Sequence, residues 1–237
     1  MAGQPHLLCS TGAFTRDPDR TDYRAILTYG PAFAVDGFEL LFYPDWYPGI
    51  EGIATGLRAS SLRFPVLHAE KSISPALGSD QPEVRALGLQ RLRENCRLGG
   101  MLGATLLILH LWGLPGSDEH LDRNLDALTA CLGIAADEGL TVAVETIPCV
   151  RADPLSNVRR ALDRDARCLA ALDTEFLAFQ LAVQRLPHVA HSVAIRLLSG
   201  AHGHLLRGEI LLMSSFPAQC YGSCHQPQSG VRWGTAP

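Results

Sequence analysis

Short apolar runs rich in Val, Ile and Leu alternate along this chain with longer segments of helical period. That alternation narrows the fold more than any other feature, because it is the pattern of parallel strands joined by crossover helices. Six runs read as strands: His6–Ser10, Gly37–Tyr43, Phe64–His68, Thr105–His110, Thr141–Glu145 and Cys168–Asp173. Their spacing of roughly 25 to 40 residues fits repeated βα units. At 237 residues with 47% hydrophobic side chains, the chain is long enough to bury one sizeable core. The expected architecture is therefore a single α/β domain.

The helical segments are clearest after the third and fourth strands, over Pro82–Leu102 and Asp118–Glu138, where apolar residues recur at three- and four-residue intervals. Asp80 precedes Gln81 and Pro82, so a capping carboxylate is expected just before a proline in the first turn. Ser117 followed by Asp118, Glu119 and His120 puts acidic charge where the second helix dipole favours it. Gly103 and Gly139 stand where a left-handed residue closes each helix.

Charge and cysteine usage exclude several classes. The net charge of -4 argues against a surface built to neutralise a nucleic-acid backbone, so no nucleic-acid partner is expected. Nineteen of the twenty basic residues are Arg and only Lys71 is Lys, a skew that a GC-rich coding sequence explains as well as Arg chemistry does. Seven scattered cysteines in a chain of this size read as reduced thiols and suggest a cytoplasmic protein. No stretch of about 18 apolar residues and no basic-then-apolar start is present, so neither a membrane span nor a signal peptide is expected.

Beyond Gln180 the character changes: only Glu209 of the 24 acidic residues lies there, against five of the nine His. Residues 1–180 are therefore expected to hold strands one to six with their helices, and 181–237 to be a divergent or poorly ordered end of the same domain. A shifted reading frame is a third explanation, favoured with disorder by the low-complexity look of Ser214–Pro237. A Cys220, Cys224 and His225 grouping lacks the second pair that a structural zinc site needs.

In a barrel of parallel strands the reactive groups stand at the C-terminal strand ends. Here the third run closes in His68 followed by Glu70 and Lys71, the fourth in His110 before Trp112, the fifth in Glu145, and the sixth in Asp173. Singly, each is more simply a satisfied structural residue, and Asp173 before Thr174 suits a helix cap. Four at equivalent positions point to one mouth. Oxygen and imidazole groups of this kind suit a divalent metal (Mn, Mg, Co or Zn) able to polarise a sugar carbonyl or hydroxyl.

The stretches Val66–Ser72, Leu109–Gly113, Val142–Thr146 and Leu172–Thr174 resemble the xylose isomerase-like TIM barrel family, which includes sugar phosphate isomerases and epimerases and has endonuclease IV as a relative. The resemblance covers about Leu7 to Gln180 and implies a (β/α)₈ barrel whose last one or two βα units are degenerate or incomplete. It implies metal ligation by Glu145 and Asp173, with Glu145 also placed to move a proton on a sugar carbon through an enediolate. His68, Lys71, His110 and Trp112 are then expected to line the substrate site. The family pattern adds a seventh-strand His, for which Val189–Ile195 offers His191, and an eighth-strand Glu. The last apolar run, Ile210–Met213, ends instead in Ser214 and Ser215, and His204–Glu209 only faintly matches a family loop.

The leading expectation is a metal-dependent sugar, or sugar phosphate, isomerase or epimerase with a small-molecule sugar substrate. One rival is a degenerate, non-catalytic barrel, whose exposed sheet edges favour a homo-oligomer. The other is an endonuclease IV-like metal-dependent phosphodiesterase, disfavoured because Phe176 stands where that relative has a His three residues after the sixth-strand Asp.

Overall fold

The computed structural model describes residues 6–15, 21–184 and 212–213. Seven parallel strands lie in the order of the sequence: β1 (Leu8–Ser10), β2 (Gly37–Leu41), β3 (Val66–His68), β4 (Leu106–Leu109), β5 (Thr141–Glu145), β6 (Leu169–Asp173) and β7 (Leu212–Met213). Each of the first six falls inside a run read as a strand, shortened by one or two residues except for Thr141–Glu145. The Ile210–Met213 run contributes β7, which pairs directly with β6 through Leu172↔Leu212 and Asp173↔Met213. Val189–Ile195, expected as the next strand, lies outside the described residues.

The helices are α1 (Gly12–Thr15), α2 (Arg24–Tyr29), α3 (Ile50–Arg58), α4 (Ile73–Leu77), α5 (Pro82–Leu102), α6 (Leu121–Asp137), α7 (Pro154–Arg164) and α8 (Thr174–Gln184). None is long and apolar enough to cross a membrane. Helix α5 matches the expected span and ends on Gly103 at φ 74°, the left-handed cap that only glycine adopts without cost. Its start differs from expectation. Gln81 occupies the capping position without a side-chain bond, Ser79 Oγ accepts the Gln81 N–H, and Asp80 is exposed.

Helix α6 begins at Leu121, three residues later than the acidic cluster suggested. Asp118 is recruited elsewhere: its carboxylate accepts the N–H groups of Val150, Arg151 and Ala152 at 2.7 to 2.9 Å and the Asn157 amide at 3.1 Å. Burial works against that charge, but the donors outweigh it and hold the carboxyl below its ordinary value. Three orphan backbone donors on the loop after β5 win over one helix end. Helix α7, by contrast, starts conventionally, with Asp153 accepting from Ser156 N and Pro154 in the first turn.

Side chains alternate across each strand, and the two faces bury different things. One face carries Phe38, Leu40, Leu67, Leu107, Leu109, Val142 and Val144 into the large core shared with the helices. The other gathers Val66, Leu106, Ile108, Ala143 and Ala171, with Leu8 and Leu169, into a small separate cluster. That second cluster is the interior of the barrel. By the same two-residue period Glu39, His68, Glu145 and Asp173 belong to the interior face, so the polar groups sit inside a sheet whose outer face is wholly apolar.

Cys9, Cys96, Cys131 and Cys168 are buried free thiols, and Cys149 is buried as well. Burial pushes Cys96, Cys131, Cys149 and Cys168 up to about 12, which disfavours the thiolate form.

Candidate functional site

The register fixes where the interior polar groups stand. His68 pairs with Ile108, Ile108 with Ala143, and Ala143 with Leu169, so these form one row. Glu145, which pairs with Ala171, lies one pleat step nearer the C-terminal mouth, and His110 directly follows β4. Glu39, paired with Val66, lies one step below the row.

The ligand-capable atoms of His68, His110 and Glu145 all lie within 4.8 Å of one another. Glu145 Oε2 is 2.5 Å from His110 Nε2 and 3.3 Å from His68 Nε2. The two imidazoles meet edge to face, with ring centroids 4.8 Å apart. All three side chains are buried. Sequence reading put these residues at one mouth, and the structure brings them into contact.

Their protonation follows from burial and partners. Burial disfavours the Glu145 carboxylate, yet hydrogen bonds from His110 and His68, with their charge, hold it far below its ordinary value. Burial also opposes charge on His68, but the bond to Glu145 and the charges of Glu145 and Glu39 together raise it. For His110 burial prevails, and its proton affinity falls despite the same carboxylate. The two imidazoles beside one carboxylate thus shift in opposite directions: burial, aided by the charge of His68, prevails at His110, whereas the carboxylate partners prevail at His68.

Asp173 is on the strand next to Glu145 but is partly engaged as a helix cap, with Oδ1 accepting from Phe176 N at 2.8 Å and its own N–H donating to Thr146 Oγ1. Burial raises its carboxyl, and the nearby charge of Glu145 raises it further. Among the described residues the ligand-capable trio is His68, His110 and Glu145; Asp173, a ligand in the family pattern, stands on the next strand, and His191 lies outside the described residues. Lys71 is exposed, near enough for its charge to act on Glu39 and His110. Trp112, expected from the resemblance to line the substrate site, is a correction. It is fully buried in the large core, with Nε1 donating to Ile147 O at 3.3 Å, and leaves no face for a ligand.

Three residues near the site escaped the sequence reading. Glu39 is 2% exposed, and its Oε1 has no hydrogen-bond partner among the described residues. Burial, reinforced by the charges of Glu145 and Asp173, pushes it up to about 7 in spite of His68. The signal was a lone carboxylate inside Gly37–Leu41, an otherwise apolar strand. Asn95, on α5, takes the Glu70 N–H at 2.8 Å. Gln180, on α8, clamps the Cys149 peptide groups through both ends of its amide, at 2.9 and 3.1 Å. An amide on the apolar face of a helix was the only hint for either.

A parallel α/β barrel with a buried His, His and Glu trio at the ends of consecutive strands defines a class of proteins that work at the barrel mouth. Within that class, residues 29–178 match the family model described as xylose isomerase-like TIM barrel, and the chain belongs to that family. No curated protein matches by sequence. Among solved structures the chain is similar to a D-allulose 3-epimerase from Methylomonas sp. bound to D-allulose, with 18% identity, TM-score 0.58, and coverage of 82% of this chain and 70% of that one. It is also similar to 3-keto-D-glucoside 4-epimerase from E. coli, with 16% identity, TM-score 0.55 and coverage of 92% and 96%. A D-tagatose 3-epimerase-like protein gives 17% identity and TM-score 0.52, with 73% of this chain covering 66% of that one. At these identities the likeness is one of fold, and the chain spans about two thirds of the last relative.

Proposed function

We propose that this protein is a metal-dependent isomerase or epimerase of a small sugar or sugar phosphate, working by proton transfer at a carbon beside a carbonyl. The observation that carries the reading is the contact among His68, His110 and Glu145, buried together at the mouth. Their chemistry fits a divalent cation: two imidazoles and one carboxylate are the donor set that Mn²⁺, Co²⁺ or Zn²⁺ accepts. The site also meets the requirement that a ligating imidazole have its other nitrogen held, since His68 Nδ1 lies 2.8 Å from Ala69 O. A cation bound there would polarise the sugar oxygens.

The chain's own groups supply the rest. Glu145, held anionic by its contacts with both imidazoles, is the group to which we assign the proton transfer. Asp173, with its raised proton affinity, is the second carboxylate of the mouth and is suited to hold a proton. Lys71 is placed to meet a phosphate or carboxylate at the rim. The sugar epimerase relatives support a sugar as substrate. The endonuclease IV-like reading gains less, because Phe176 offers only its N–H, and that N–H is spent on Asp173.

The test is hydrogen exchange. Purified protein supplied with Mn²⁺ or Co²⁺ is incubated in D₂O with D-allulose, D-fructose and D-tagatose, and deuterium entering the carbon next to the carbonyl is followed by NMR. We expect incorporation with at least one ketose and at least tenfold less in Glu145→Gln. If no sugar exchanges while cation still binds, the enzymatic reading fails and the non-catalytic barrel replaces it.

A further inference from the structure

The peptide group between Ala69 and Glu70 is held at both of its polar ends. Its carbonyl oxygen lies 2.8 Å from His68 Nδ1, and its N–H donates to Asn95 Oδ1 at 2.8 Å. Asn95 is fully buried on α5, and its NH₂ is spent on Tyr47 Oη at 3.1 Å and Arg91 O at 2.9 Å. Turning the amide over would set its NH₂ against the Glu70 N–H and its oxygen against the Arg91 carbonyl, so the network admits one orientation. Tyr47 is fixed in turn, with the Arg91 guanidinium 5.9 Å from its ring centroid and its hydroxyl donating to Glu70 Oε2 at 3.3 Å.

A peptide unit is rigid, so fixing its N–H also fixes the direction of its carbonyl. We propose that Asn95 is a positioning residue for the metal site: through the Ala69–Glu70 peptide it aims the carbonyl that holds His68 Nδ1–H, and so keeps His68 Nε2 turned toward Glu145 and a bound cation. Asn95 touches neither the cation nor substrate. This inference rests on the metal reading above and extends it to a helix on the outer side of the sheet. The reason such a residue matters is that an imidazole with Nδ1 released can rotate or carry its proton on Nε2, and either change removes a ligand.

The experiment measures Zn²⁺ affinity of the full-length chain by competition with a chromogenic chelator, in a double-mutant cycle. We expect Asn95→Leu to weaken Zn²⁺ binding 10- to 100-fold in the native background. In a His68→Ala background the same change should alter affinity less than about threefold, because the group through which Asn95 acts is gone. Asn95→Asp keeps an oxygen for the Glu70 N–H and should hold the affinity within about threefold of the original, which guards against misfolding of the leucine variant. Equal losses from Asn95→Leu with and without His68 would overturn the inference, as would undiminished binding by Asn95→Leu. If the unaltered chain binds no Zn²⁺, the metal reading itself falls and this inference with it.

Discussion

The mouth and the floor of the barrel interior each bury a glutamate, and the two behave in opposite ways. Glu145 and Glu39 are both 2% exposed and stand on the same face of the sheet. Glu145 receives two imidazole donors and is held far below its ordinary value, whereas Glu39, with one oxygen unpartnered among the described residues, is pushed up to about 7. Burial is the same in both. The difference teaches that the donor set, not depth, decides whether an interior carboxylate stays charged.

The sharpest way to break this comparison is to remove each carboxylate in turn, for the two changes should have opposite signs. Glu145→Ala leaves two buried imidazoles without their acceptor and should cost about 3 to 5 kcal/mol of unfolding free energy at pH 7 in urea titrations. Because its folded value is lowered, Glu145 contributes stability above its ordinary value of 4.5, and the contribution drains away as pH falls further. A loss below about 1 kcal/mol would mean that the imidazoles hold Glu145 only loosely.

Glu39→Gln should act the other way. Between 4.5 and about 7 the folded state keeps a proton that the unfolded chain has released, so stability falls as pH rises through that window. The amide removes this penalty, and we expect the variant to be more stable by about 3 kcal/mol at pH 8 and to match the parent near pH 4.5. A destabilised variant at pH 8 would show that Glu39 is charged and well partnered, and the comparison would collapse. Asp118, a third buried carboxylate but one outside the interior, should resemble Glu145 on a smaller scale. Asp118→Ala should cost about 2 kcal/mol, with faster proteolysis of the loop around Val150–Ala152 that its oxygens hold.

What could be read from sequence follows the same divide between local and distant causes. Strand ends were legible because a single His or carboxylate closing an apolar run is a local signal, and the parallel register then carries His68, His110 and Glu145 to one place. The helix starts were misread at Asp80 and Asp118 because a capping residue is chosen by competition. Ser79 Oγ takes the Gln81 N–H, and Asp118 serves a loop more than thirty residues later in the chain. Trp112 was expected to line the substrate site, but its indole N–H finds Ile147 O in the core, which no local pattern foretells. Glu39, Asn95 and Gln180 depend on partners, or a lack of them, in other elements. The family and fold were thus accessible from periodicity and motif, while the supports of the site required coordinates.

One cobalt titration tests the central claim most directly. The protein, stripped of metal, is titrated with Co²⁺ while its visible absorption is recorded, alongside His68→Ala, His110→Ala and Glu145→Gln. We predict saturation at one strongly bound ion per chain with the spectrum of a mixed nitrogen and oxygen site, and loss of that spectrum in each variant. Absence of a bound ion, or the same spectrum in all three variants, would contradict the account.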